Sequence, residues 1–247
     1  MKAAAGLGGG FGHEGDTCGA LVGGVLALAL SGHRHIYHDC KRYYCAFKGR
    51  FGTSKCRDIT GVRFKQGYDI RRFFIKGIVC LRLVYTSIAS VFEIIDSHKD
   101  EGPTQKEFDC AREVLLQISL KKGLDIDPLL KITPGLSGGL SFQGDICGAL
   151  VGGALALGAV YGKEIGRTHP FTLMKAGLFA LKEGGEVFHR EWLHPSFRAS
   201  SRVGILYRAF TSRFGSADCH SILKGRPSTG QCKEVIEAVS KWTAELI

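Results

Sequence analysis

Nine cysteines stand in the chain, at positions 18, 40, 45, 56, 80, 110, 147, 219 and 232, and no two are spaced Cys-x-x-Cys. That spacing is what thioredoxin-type dithiols, zinc ribbons and zinc knuckles require. Its absence also excludes the Cys-x-x-Cys-His sequence that attaches a c-type haem. Asp218-Cys219-His220 lacks the first cysteine of such a motif, so covalent haem is not expected. The number of cysteines is odd, and 247 residues is well beyond the size of small disulfide-stapled domains. What remains is thiol chemistry or metal ligation. A thiolate attacks disulfides and binds metal, and four of them hold zinc or an iron–sulfur cluster.

The positions of the cysteines follow an internal repeat. Glu14–Leu30 reads EGDTCGALVGGVLALAL and Gln143–Ala159 reads QGDICGALVGGALALGA, with about twelve of seventeen positions identical. Tyr44–Cys56 (YCAFKGRFGTSKC) matches Tyr207–Cys219 (YRAFTSRFGSADC), and Ala5–Phe11 (AGLGGGF) resembles Pro134–Leu140 (PGLSGGL). Cys18 therefore pairs with Cys147, and Cys56 with Cys219. A weaker match sets Cys80, before an apolar run, against Cys232, before VIEAVSKWTAEL. Cys110 opens the second repeat in FDCAREVLLQISLKKG, and in this register its counterpart would precede Met1. The chain divides into a first, N-terminally shorter module over 1–100 and a second, complete one over 101–247. The second carries an insertion near 163–201 that has no partner in the first.

The elements that must position these residues are helices. Glu107–Lys122, Cys147–Val160, Arg202–Arg213 and Cys232–Leu246 carry apolar residues at helical spacing, and no strand-like alternation stands out. The expected fold is all-α, a pseudo-twofold bundle of two modules. Asp145 is placed to cap the helix at Cys147. The glycine runs before Cys18 and Cys147 read as turns with unusual backbone angles. Cys18 and Cys147 fall at the first turns of their helices, where free N–H groups and the helix dipole favour a thiolate. Gly19 and Gly148 beside them keep bulk away and leave room for a cofactor. The simpler alternative is that a cysteine packs well in an apolar helix. The repetition of three positions across the chain favours function over packing.

These residues resemble the C-GCAxxG-C-C family of redox-active proteins. Its pattern is an early helix cysteine, a glycine-rich turn, a Cys-Gly-Ala-Leu-x-Gly helix, an FG-[ST]-x-x-C segment and a last cysteine before a terminal helix. Cys110, Gly138–Gly139, Cys147–Gly153, Phe214–Cys219 and Cys232 follow that order. The resemblance is good over Phe108–Ile247 and Ala3–Cys56, and poor over Gly61–Glu93. It implies an all-helical fold and redox-active or iron–sulfur-binding cysteines. The family is similar to split-Soret cytochromes c, from which this chain departs by lacking any haem-attachment motif.

Thirty-three Lys and Arg against 23 Asp and Glu give a formal charge of +10. The surplus is concentrated between His33 and Gly77. This stretch opens with HRHIYHDCKRYYC, in which His33, His35, His38, Cys40 and Cys45 are all metal-ligand types. Lys48, Arg50, Lys55, Arg57, Arg63, Lys65, Arg71 and Arg72 follow, interleaved with aromatics. The bland reading is a solvated basic face over an aromatic core. Next comes a docking patch for an acidic redox partner, then a metal site in which Cys40 or Cys45 supplies the first module's fourth ligand. A nucleic-acid surface is the least favoured. His13 and Glu14 lie near Cys18 but have no match in the second module. His189, Glu191 and His194 crowd the insertion and read as surface. No phosphate-binding glycine loop is present, and no Ser/His/Asp set is identifiable.

The most apolar runs, Cys18–Leu30 and Cys147–Val160, are too short to span a bilayer, and the opening residues lack the pattern of a signal peptide. No membrane association is expected, and the expected location is the cytoplasm. The oligomeric state is left open. The functional expectation is a redox-active protein holding an iron–sulfur cluster through Cys110, Cys147, Cys219 and Cys232, with Cys18, Cys56 and Cys80 as a second site. The alternatives are a metal-free thiol–disulfide protein, and a structural or nucleic-acid-binding protein using the basic stretch.

Overall fold

The computed structural model describes residues 2–32, 35–62, 77–97, 109–162, 178–179, 195–224 and 229–247. A 3-10 helix, Ala3–Leu7, is followed by ten α-helices among the described residues. They are α1 (Gly19–Leu30), α2 (Ile36–Phe51), α3 (Cys56–Thr60), α4 (Gly77–Asp96) and α5 (Cys110–Lys122). Then come α6 (Asp127–Leu130), α7 (Gly148–Tyr161), α8 (Pro195–Phe214), α9 (Cys219–Ile222) and α10 (Thr229–Leu246). No strand occurs among the described residues. Two isolated antiparallel bridges, Thr17 with Lys55 and Ile146 with Asp218, stand at matched places in the repeat. The all-α duplicated architecture is as the sequence implies.

α7 is apolar on every side and is buried from Gly148 to Gly158, which is how such a helix avoids water. α5, α8 and α10 pack around it. In the first module α1 takes the place of α7, with α2 and α4 packed on it. Matched aromatics do matched work. Phe47 and Phe51 pack with ring centroids 4.8 Å apart, and Phe210 and Phe214 at 5.0 Å.

The modules interlock through their turns. The Ala3–Leu7 helix of the first packs on α7 and α8 of the second. In return, Gly135 of the second lies against the Cys40 sulfur and Val25 of the first. Five consecutive residues in each glycine turn have positive φ: Gly9, Gly10, Phe11, Gly12 and His13, and Gly138, Gly139, Leu140, Ser141 and Phe142. Side chains resist that region, so the phenylalanines, leucine, serine and histidine are held there by their surroundings. Phe11 and Leu140 are fully buried.

Two expectations need correction. Asp145 does not cap α7, because Cys147 is the N-cap residue; the carboxylate turns instead to the module interface. The search for apolar runs also missed α4. Ile78–Asp96 is long and apolar enough to cross a membrane by length and composition, and only 28% of that stretch is buried. Arg82 and Glu93 interrupt the run and hid it in the sequence.

Candidate cysteine centres

Each centre is assembled by one device used twice. The glycine turn brings the backbone of Gly10 against Asp16, and that of Gly139 against Asp145, so closely that a β-carbon at either would clash. Each aspartate carbonyl then accepts the amide of the downstream cysteine: Cys56 N–H to Asp16 at 2.7 Å and Cys219 N–H to Asp145 at 2.8 Å. In return Cys18 N–H donates to Ser54, and Cys147 N–H to Ala217, both at 2.8 Å. These bonds flank the two bridges, so the start of α1 meets the start of α3, and the start of α7 meets the start of α9. Cysteines forty to seventy residues apart in sequence become neighbours.

Four sulfurs meet in the second module. Burial, then the neighbouring charge of Cys147, with Asp109, Cys219 and Cys232 adding to it, holds the Cys110 thiol well above its ordinary value. Burial pushes Cys147 up to about 12 against the pull of the Leu150 amide, with Cys219 and Cys232 again adding to the rise. Cys219 is pushed up to about 11 by burial and then by Cys232. Cys232 is raised by burial. A β-carbon on Gly148 would sit 2.7 Å from the Cys110 sulfur, so only glycine lets that sulfur lie on the first turn of α7.

The first module gathers three. Burial, then Cys18 and Cys80, push Cys56 up to about 12. Burial and Cys18 raise Cys80. Burial raises Cys18 against the opposing Ala20 and Leu21 amides. All nine cysteines are free thiols. At the helix N-termini the amides pull the Cys18 and Cys147 thiols down, while desolvation raises them. Neither Cys40 nor Cys45 joins the trio. Cys40 is buried near the Val25 carbonyl, and Cys45 is exposed on α2.

Among the described residues, no three cysteine sulfurs lie within 4.8 Å of one another. A tetrahedral zinc ion with Zn–S near 2.3 Å needs sulfurs under about 4 Å apart. Iron–sulfur clusters take four thiolates, and the donor set fits them.

Between the two centres lies a network absent from the sequence reading. The Lys55 ammonium contacts Asp16 at 2.6 Å, Asp145 at 3.1 Å and Asp218 at 2.5 Å. Tyr44 of the first module donates to Asp145 of the second at 2.8 Å, and Tyr207 of the second donates to Asp16 of the first. Thr17 also donates to Asp145, at 2.7 Å. Burial alone would raise both aspartates, but Lys55 and the hydroxyl donors outweigh it, lowering Asp16 and holding Asp145 at about 2. Burial would likewise lower Lys55, yet Asp16 and Asp145 raise it. The three carboxylates approach within 4.8 Å of one another because the ammonium sits among them. The signal for this network was present in the repeat: Gly-Asp before each first cysteine, matched tyrosines, and Lys55 opposite Asp218.

The basic stretch resolves into an inner and an outer face. Tyr43, Tyr44 and Phe47 are buried, while Lys41, Arg42, Lys48 and Arg50 are exposed. His35 and His38 lie on or beside α2. His33, Arg63, Lys65, Arg71 and Arg72 lie outside the described residues, as do His189, Glu191 and His194. Glu14 pairs with Arg208 of the second module at 2.5 Å, an interface role.

Comparison with curated proteins and with solved structures found no match. The family model described as "Putative redox-active protein (C_GCAxxG_C_C)" matches residues 1–94 and again 108–246. Those segments carry the two sets of converging cysteines, and the chain belongs to the C_GCAxxG_C_C redox-active family as a tandem duplicate of its module.

Proposed function

We propose that the protein is an electron carrier that holds an iron–sulfur cluster on Cys110, Cys147, Cys219 and Cys232. The observation that carries this reading is the convergence of four thiols from α5, α7, α9 and α10, close enough to feel one another's charge. When bound, the cluster supplies one-electron chemistry at a potential tuned by burial and by hydrogen bonds to its sulfurs. The chain's own residues supply the rest. The Ala149 and Leu150 amides favour negative charge on the Cys147 sulfur. Apolar, buried α7 excludes water from the Cys147 side. Burial raises all four thiols, so ligation would release protons and loading would strengthen as pH rises.

A metal-free thiol–disulfide role would use the same four cysteines and would show as reversible disulfides among them without iron. The exposed Lys41, Arg42, Lys48 and Arg50 suit docking of an acidic redox partner. The buried Tyr43, Tyr44 and Phe47 leave few aromatic faces on α2 for stacking bases, which disfavours a single-stranded nucleic-acid role.

The test is iron and acid-labile sulfide per chain, with a visible spectrum, on anaerobically purified protein and its Cys147→Ser variant. A broad band that bleaches on reduction, lost in the variant, is expected. Iron content and spectrum unchanged in Cys147→Ser, or no iron after attempted reconstitution, would refute the assignment.

A further inference from the structure

α4 carries apolar residues on two opposite faces. Its inner face, where Leu83, Val91 and Ile94 are buried, packs on α1 and α2. Its outer face holds Ile78, Leu81, Tyr85, Ile88 and Phe92, which are 51–77% exposed, and half-buried Ile95 closes the row. The steps along this row are three, four, three, four and three residues. That is the a/d pattern of a heptad, whose 3.5-residue period keeps one seam turned along its length to another helix.

The second module shows that the fold of the module does not itself require this row. Setting Cys80 on Cys232, the places of Ile78, Leu81 and Tyr85 are held on α10 by Gly230, Lys233 and Glu237, all exposed. Charge then gives the row a direction. Arg82 stands beside it near the start of α4, and Glu93 and Asp96 stand beside it near the end. All three are exposed, and none has an ion-pair partner among the described residues. Two such helices laid antiparallel bring each Arg82 toward the acidic end of the other. Laid parallel, they set like charges side by side, which costs stability.

We infer that α4 pairs antiparallel with α4 of a second copy of this chain, about a twofold axis between Thr86 and Ser87. Ile78 then lies against the partner's Ile95, Leu81 against the partner's Phe92, and Tyr85 against the partner's Ile88. The steps of the row read the same from either end, so one register satisfies all three pairs, as an interface of two identical patches requires. The exposed parts of these side chains amount to on the order of 600 Å² per copy, so pairing buries about 1,200 Å² in total, the lower bound of a specific, stable interface. Spacing and charge order are both self-complementary, and that is what assigns the face to a second copy. The inference concerns α4 alone and does not depend on the cluster proposed above.

The test is the mass of the whole chain in solution, by light scattering and sedimentation equilibrium over a range of concentrations. A dimer is expected. Leu81→Glu and Tyr85→Glu should each weaken it more than about tenfold, while Glu237→Lys, at the matched place on α10, leaves it unchanged. Leu81 and Tyr85 are both more than two-thirds exposed, so neither substitution touches the core of the module, and circular dichroism checks that the helices persist. Arg82→Glu should also weaken the dimer, and mixing that variant with Glu93→Lys/Asp96→Lys should restore association as a mixed dimer. A monomer at the highest soluble concentration overturns the inference, as does a dimer that Leu81→Glu and Tyr85→Glu leave intact. An Arg82→Glu dimer as tight as the parent overturns the antiparallel register. Vesicle flotation of a monomer, lost in Tyr85→Glu, overturns the pairing by assigning the row to a lipid surface.

Discussion

Replacing Lys55 with methionine keeps the aliphatic stem and removes the ammonium that three carboxylates share. Asp16 and Asp145 would then face each other with side chains only 6% and 4% exposed. Removing one partner of a buried ion pair costs about 3–5 kcal/mol. Asp218 is 33% exposed, and solvent screens its share. Thr17, Tyr44 and Tyr207 continue to donate to the buried pair, which favours the lower end, about 3 kcal/mol at pH 7. At about 2–4 °C per kcal/mol for a chain of this size, the melting temperature falls by about 6–12 °C. Without the cation the aspartates bind protons more readily, so the deficit shrinks as pH falls from 7 toward 5. Urea and thermal unfolding followed by circular dichroism at both pH values measures this, with Lys55→Met/Asp145→Asn recovering most of the loss. A deficit below about 1 kcal/mol, or one that ignores pH, would refute the claim that Lys55 neutralises a buried acidic pair.

Three further outcomes follow from the same geometry. Tyr44→Phe and Tyr207→Phe each remove one hydroxyl donor to a buried carboxylate across the interface, and should cost similar amounts, about 1.5–3 kcal/mol; unequal costs in denaturant melts would break the pseudo-twofold account. Gly152→Ala drives a methyl into the Ala111 backbone and should lose about 1–3 kcal/mol, whereas Gly23→Ala, at the matched position with open space, should gain about 0.5–1 kcal/mol from helix propensity. Asp145 titrates lower folded than unfolded, so its stabilisation is complete above the unfolded value and disappears as pH falls from about 4 to about 2. The corresponding loss is about 2 kcal/mol, read from urea midpoints across that range, and is smaller in Asp145→Asn.

Much of the fold was legible because duplication writes the same instruction twice. The CGALVGG helices, the glycine turns and the FG-x-x-x-C segments each appear in both halves, and the structure gives both copies the same turns and bridges, although α1 is less fully buried than α7. Helix ends moved by a few residues: the stretch read from Glu107 begins at Cys110, and that read from Arg202 begins at Pro195. α4 was hard to read because Arg82 and Glu93 interrupt its apolar run. The surroundings of the thiols were hard to read for a different reason. A helix N-terminus is visible in sequence, but the depth of burial that overrides it is not.

By itself the sequence determined the helical class, the repeat and the three pairs of matched cysteines, because apolar spacing and internal identity are local properties of the chain. The same register grouped four cysteines in one module and three in the other; tertiary structure alone decided how deeply each is buried, since that depends on which helices pack around it. It also decided the role of Lys55 and Asp218. They occupy the same position in the two repeats with opposite charge, and only when the modules face each other does the ammonium of one settle among the carboxylates of both.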